Sequence, residues 1–286
     1  MKSRVRKHRE FTVGSTVLTI VFIVICLAWM MPIIEVVINS FKTNSSISLN
    51  LFALPDSESF AGADNYVKGL TFGNFPFLKS AGYSLFISIV STTLILVCCS
   101  MAAWYIVRVQ SKFAKIFYYL CVFSMVVPFQ MVMFTLSKVT DFLHLGNMFG
   151  IIPVYLGFGA GLSLFMFCGF IKAIPISLEE AAMIDGCTPV QTYFKVIVPM
   201  LRPTMITVAI LNAMWIWNDY LLPTLVLDSE KPTIPMAVQY LRGGYGSIDM
   251  GAMMAMLVLA ILPIIVFYLT CQKYIIKGVA AGAVKG

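Results

Sequence analysis

The stretch that decides the fold is 174-IPISLEEAAMIDGCTPVQTYFKVIVPMLRP-203. It is the most polar long segment in the C-terminal two-thirds of a very apolar chain, and it lies between two candidate membrane spans. Its spacing predicts two short capped helices. Pro175 ends the preceding span, Ser177 is an N-cap, and Glu180 three residues on completes a capping box. Gly186 suits the left-handed position that stops the first helix. Thr188 starts the second, with Pro189 at its first position and Gln191 at the box position. Val190, Tyr193, Phe194, Ile197 and Val198 then recur on one apolar face, until Pro199 and Pro203 break the pattern. A surface helix-turn-helix with the small pair Ala181-Ala182 suits the docking of a partner.

Outward from this segment the chain is apolar. Hydrophobic residues make up 59% and charged residues only 12%, against roughly a quarter charged in soluble domains. The reading is an all-α integral membrane protein. Six stretches reach the roughly 20 apolar residues that a span needs: 13–38, 84–107, 115–136, 150–171, 203–223 and 250–274. The basic start, residues 1–12, is followed by an apolar run too long for a signal-peptide core, so residues 13–38 are read as a first span. Residues 275–286 form a short tail. With the N-terminus inside, 14 of the 20 Lys and Arg residues fall on the inner side. Both termini and residues 175–203 are therefore expected in the cytosol, with external loops at 39–83, 137–149 and 224–249.

Composition also excludes. The positive charge is spread over span ends, which argues against nucleic acid. None of the seven cysteines falls in an external loop, so no structural disulfide is expected. There is no phosphate-binding loop, HExxH or CxxC motif, and no catalytic or metal constellation. If ATP is used, another chain binds it with its Mg.

Polar residues inside spans pack between helices or line a path. Ser84, Ser88, Ser91 and Thr92 form one stripe of the second span, and Gly157, Gly159, Gly161 and Gly169 mark the fourth; both read first as helix packing. Pro128 should kink the third span, beside a buried amide, Gln130. In the fifth, Asn212, Trp215 and Asp219 share a face with Asn218 beside them. An amide, an aromatic plane and a carboxylate are what a sugar site uses. The same residues also fit an outer aromatic belt with an interfacial carboxylate. The turn-rich loop at 224–249 offers Tyr240, Arg242 and Tyr245 to an external partner.

Glu180-Ala181-Ala182, three residues, Gly186, nine residues, Val196, one residue and Val198-Pro199 resemble the EAA signature of ABC-importer permease subunits. The signature has Ile and Leu where Val196 and Val198 stand, which keeps the apolar contact. EAAMIDG at 180–186, Trp217-Asn218-Asp219-Tyr220 and the C-terminal QKYIIKGVAAGAVKG narrow the resemblance to the carbohydrate branch. The nearest type is the smaller permease subunit of the maltose and oligosaccharide transporters. Tyr83 stands where relatives often carry Asn, and no role is carried over there. The resemblance implies a six-span type I importer permease in a bacterial cytoplasmic membrane. It implies a second, different permease, two ATPase subunits and an extracytoplasmic solute-binding protein that delivers sugar. Glu180, Ala181, Ala182, Asp185, Gly186, Phe194 and Pro199 would then form the coupling segment on the ATPases. The alternatives are a permease for a polyamine, phosphate or amino acid, and a secondary transporter. Few buried charges and no evident repeated half weigh against them. A membrane enzyme fits least.

Overall fold

The computed structural model describes residues 13–71, 77–228, 230–240 and 249–283. Among the described residues, five helices are long and apolar enough to cross a membrane. Helix α1 (Val13–Asn39) is one of them, and of its residues only Asn39 is buried. Its side chains are apolar on all sides, so in water it has no face to hide, and its natural surroundings are lipid or another chain.

The expected loop at 39–83 is a small packed unit. It holds α2 (Asn44–Leu49) and α3 (Asp64–Thr71), and a single antiparallel bridge joins Lys42 to Phe60. Buried polar groups tie it together. Lys42 is 1% exposed, and its Nζ donates to Asn39 Oδ1 at 3.1 Å and to the Asn50 carbonyl at 2.9 Å. Asn65 Nδ2 donates to the carbonyls of Ser40 and Lys42. The unit rests on α13 (Met250–Ala283), where Gly251 lies against the Asn65 amide.

The second crossing, α4 (Phe77–Val109), starts earlier than its hydropathy suggested and so takes the end of that loop into the helix. It stops at Gln110, whose φ of 50° leaves the helical region, and Ser111 caps the next helix by accepting from Ala114 N. The expected third crossing is divided and not merely kinked, and neither half is among the five span-length helices. Helix α5 (Lys112–Phe123) ends, residues 124–128 turn, and α6 (Phe129–Phe142) starts anew. Pro128 has no N–H to continue the ladder and pushes the residue before it out of helical geometry. Helix α7 (Ile151–Ile171) is unbroken. Two of its glycines serve close packing: a Cβ at Gly159 would meet Ile95 Cδ1 at 2.6 Å, and one at Gly161 would meet the Cys121 carbonyl at 2.6 Å, whereas Gly157 and Gly169 have open space.

Helices α8 (Ser177–Ile184) and α9 (Pro189–Thr192) follow. The second does not stop. It runs through a π-helical turn (Tyr193–Ile197) into α10 (Val198–Asn218), so Pro199 and Pro203 do not break the chain as their presence suggested. In the widened turn the Val198 N–H reaches back five residues to the Tyr193 carbonyl. A proline clashes with the carbonyl four residues back, here that of Lys195, and Lys195 lies in the widened turn, which makes room for the ring of Pro199. The fifth crossing closes at Asn218, short of residue 223; α11 (Leu221–Val226) and α12 (Ile234–Tyr240) lie beyond it. The last helix continues to Ala283, so the tail expected from residue 275 is part of α13.

The main core joins α4, α7 and α10, with Ile87, Ile95, Tyr155, Leu164, Phe167, Ile197, Leu201 and Val208 inside. All seven cysteines are unbridged.

Candidate functional site

The polar segment is anchored at one end of the bundle. Helix α8 begins without the expected Ser177 capping box: its cap is Ile176, already helical, and the Glu179 and Glu180 N–H groups bond the Ile176 carbonyl. The turn after Pro175 therefore does the work assigned to the serine. The other end matches the reading. Gly186 has φ +83°, and the N–H groups of Gly186 and Cys187 bond the carbonyls of Met183 and Ala182, the paired bonds of a Schellman stop. The box at Thr188 and Gln191 is formed in both directions.

Glu180, Ala181, Asp185 and Gly186 are exposed, whereas Ala182 is 8% exposed and faces its own chain. The single apolar face expected over Val190–Val198 is divided. Tyr193 and Ile197 turn into the core, while Val190 and Phe194 stay outside at 65% and 54% exposure. A π turn advances the chain by an extra residue, which shifts the phase of the stripe. With Ile184 at 85%, these residues give the segment an exposed apolar surface beside exposed carboxylates. Pro199 is exposed at the start of α10.

Sequence reasoning passed over what holds the segment down. Arg108, near the end of α4, pairs with Glu179 at 2.7 Å, and its Nη2 also donates to the Ile174 carbonyl at 3.0 Å. Trp104 Nε1 donates to the other Glu179 oxygen at 2.9 Å. One turn further along α4, Ser100 Oγ lies 2.6 Å from the Tyr193 hydroxyl. The signal was available as a polar and aromatic stripe at 100, 104 and 108 on one helix face.

At the opposite end of α10 the grouped residues part company. Asn212 is buried against α7, donating to Ser163 Oγ at 3.2 Å and to its own Val208 carbonyl at 2.9 Å. Trp215 meets Tyr155 edge to face with centroids 5.4 Å apart, and the Tyr155 hydroxyl donates to Asp219 Oδ2 at 3.2 Å. Tyr155 was not foreseen, because α7 showed no periodic polar face. Asn218 points elsewhere, into a cavity of about 250 Å³ lined also by Trp217, Gln239 and Ile261. Gln130 is exposed on α6, not buried, because the break at Pro128 turns it out of the bundle. Ser88 and Thr92 line a larger apolar cavity of about 810 Å³ between α4, α10 and α13, and neither hydroxyl has a hydrogen-bond partner among the described residues. Tyr240 closes α12, and its side chain, like Arg242 and Tyr245, lies outside the described residues.

An all-helical, multi-pass membrane bundle that holds a rigid capped hairpin at one end has the ABC-importer permease fold. A crystal structure of a bacterial ABC transporter involved in the import of the acidic polysaccharide alginate contains a chain of the same fold. It superposes with a TM-score of 0.74 at 22% identity, covering 93% of this chain and 99% of that one. The model of the binding-protein-dependent transport system inner membrane component matches residues 95–281, and the chain belongs to that family. It is a multi-pass inner membrane protein, the permease subunit of a transporter that works with a binding protein and ATPases.

Relatives align over nearly the whole chain. The probable starch degradation products transport system permease protein AmyC of Thermoanaerobacterium thermosulfurigenes is 37% identical over 278 residues, 97% of this chain and 99% of the relative. The multiple sugar-binding transport system permease protein MsmG of Streptococcus mutans is 37% identical over 264 residues, 90% of this chain and 92% of the relative. The arabinooligosaccharides transport system permease protein AraQ of Bacillus subtilis is 31% identical over 286 residues, 98% and 99% respectively.

Proposed function

We propose that this permease moves a sugar or oligosaccharide into the cell. What supports the substrate class is the near full-length similarity to permeases named for starch products, multiple sugars and arabinooligosaccharides. The segment from Pro175 to Pro203 is the cytosolic coupling element, and the observation that carries this role is its geometry. A Schellman stop at Gly186 and a closed capping box at Thr188 hold a rigid hairpin whose Glu180, Asp185, Ile184, Val190 and Phe194 are exposed. Two ATPase subunits carry the ATP and Mg, and one of them docks on that surface. A second, different permease completes the path, and α1, without a core of its own, lies in lipid or against that sister chain. Both termini are cytosolic. The binding protein meets the opposite side, where Tyr240, Arg242 and Tyr245 belong. Along α10 the sugar passes Trp215, Asn218 and Asp219, and Gln130 borders the path from α6; Asn212 holds α10 to α7.

The test is reconstitution of the four core subunits with the binding protein in vesicles. Maltooligosaccharides and arabinooligosaccharides should stimulate ATP hydrolysis and be taken up. Stimulation only by spermidine, phosphate or an amino acid would overturn the sugar assignment while leaving the permease fold intact.

A further inference from the structure

The coupling segment is fastened to the bundle by one stripe of α4. Ser100, Trp104 and Arg108 stand four residues apart, so they stack on one face over two turns. Between them they hold the segment at three points. Arg108 holds its entry at the Ile174 carbonyl, Arg108 and Trp104 together hold α8 at Glu179, and Ser100 holds the π turn at Tyr193. The Trp104 and Tyr193 rings also lie 5.5 Å apart. Glu179 is 5% exposed, and both of its oxygens are engaged; its pair with Arg108 is the single ion pair among the described residues. Helix α8 itself packs mainly on α9 and the π turn, neighbours within the same segment. A largely buried ion pair with hydrogen bonds from both sides resists separation, because parting it strands a charge away from water. Helix α4 in turn packs along α7 and α10 and lines the 810 Å³ cavity through Ser88 and Thr92.

We propose that Glu179 and Arg108 are positioning residues that make α4 the driven helix: displacement of the coupling segment by the ATPases is passed through this clamp to α4 and reshapes the cavity between α4, α10 and α13. The inference rests on the reading that residues 175–203 dock an ATPase subunit. Glu180 presents its carboxylate to the partner; Glu179, its neighbour, faces inward and binds the lever to the bundle.

The reconstituted five-component system is the test, with a mixture of maltooligosaccharides as the transported probe and sugar taken up per ATP hydrolysed as the readout. Glu179→Ala and Arg108→Ala should each lower that ratio by a factor of about 2 to 30. The double substitution should do less than the product of the two single effects, since the two residues share one ion pair. Glu179→Gln, which keeps the acceptor and loses the charge, should fall between wild type and Glu179→Ala. Co-purification of the ATPases should be unchanged, which separates a broken transmission from a lost docking face. An unchanged ratio in both single variants, or effects that multiply in the double variant, overturns the clamp. Gly186→Val serves as the control on docking. If it uncouples transport while the clamp variants do not, the clamp alone is wrong. If it too leaves the ratio intact, the docking reading falls and the clamp with it.

Discussion

Gly186 shows how one residue sets the shape of the hairpin. A Cβ built there would meet nothing within 4 Å, so a larger side chain has room. The obstacle is the backbone: at φ +83° an L-residue is strained by about 1–2 kcal/mol. Gly186→Val should therefore leave the protein in the membrane and uncouple hydrolysis from uptake. Gly186→Asn, which tolerates that region better, should lose less. Equal uptake per ATP in Gly186→Val and wild type would sink this account. The left-handed position was legible, because glycine after a short amphipathic run has few other reasons to be there. The role of Glu179 was not. Its sequence neighbour Glu180 looks identical on paper, and only the reach of Arg108 and Trp104 from α4 decides which carboxylate is held inward.

Among elements, the pairing of α5 and α7 depends on the absence of a side chain. A Cβ at Gly161 would come within 2.6 Å of the Cys121 carbonyl, whereas one at Gly157 meets nothing within 4 Å. Gly161→Ala should destabilise the purified chain by about 1–3 kcal/mol and Gly157→Ala by none, read as melting temperature in detergent. A reversed order would refute the packing argument. The unit between α1 and α4 makes a second prediction. The Ser59 hydroxyl, bonded to Asp56 at 2.6 Å, and the Ser59 N–H hold the Asp56 carboxyl below its ordinary range. The stabilisation is complete above the ordinary carboxylate range and is lost as pH falls through the lowered value. The difference in melting temperature between wild type and Asp56→Asn should therefore be present at neutral pH and close in acid. A gap that persists in acid would contradict it. That this stretch packs into a unit was hidden, since its order comes from Lys42, Asn39 and Asn65 finding backbone carbonyls far along the chain.

For the whole molecule, the long apolar surface of α1, with Trp29 at 82% exposure, has no counterpart in the bundle core. Trp29→Ala should leave the melting of the isolated chain within about 0.5 kcal/mol of wild type. It should weaken co-purification of the sister permease; unaltered recovery of that partner would place α1 in lipid instead. What the sequence by itself determined was set by solvent and by local backbone rules. Hydropathy marked the crossings, because a span must bury its apolar length whatever its neighbours. Gly186, Thr188 and Pro189 shaped the hairpin, because their constraints act within a few residues. The tertiary structure decided the rest. It divided the third crossing at Pro128 and carried the fifth through Pro199 and Pro203, because a proline's cost depends on whether the surrounding turn widens or ends. It parted Asn212 from Asn218 on α10 and joined Glu179 to Arg108, because those outcomes belong to pairs of helices and no single stretch encodes them.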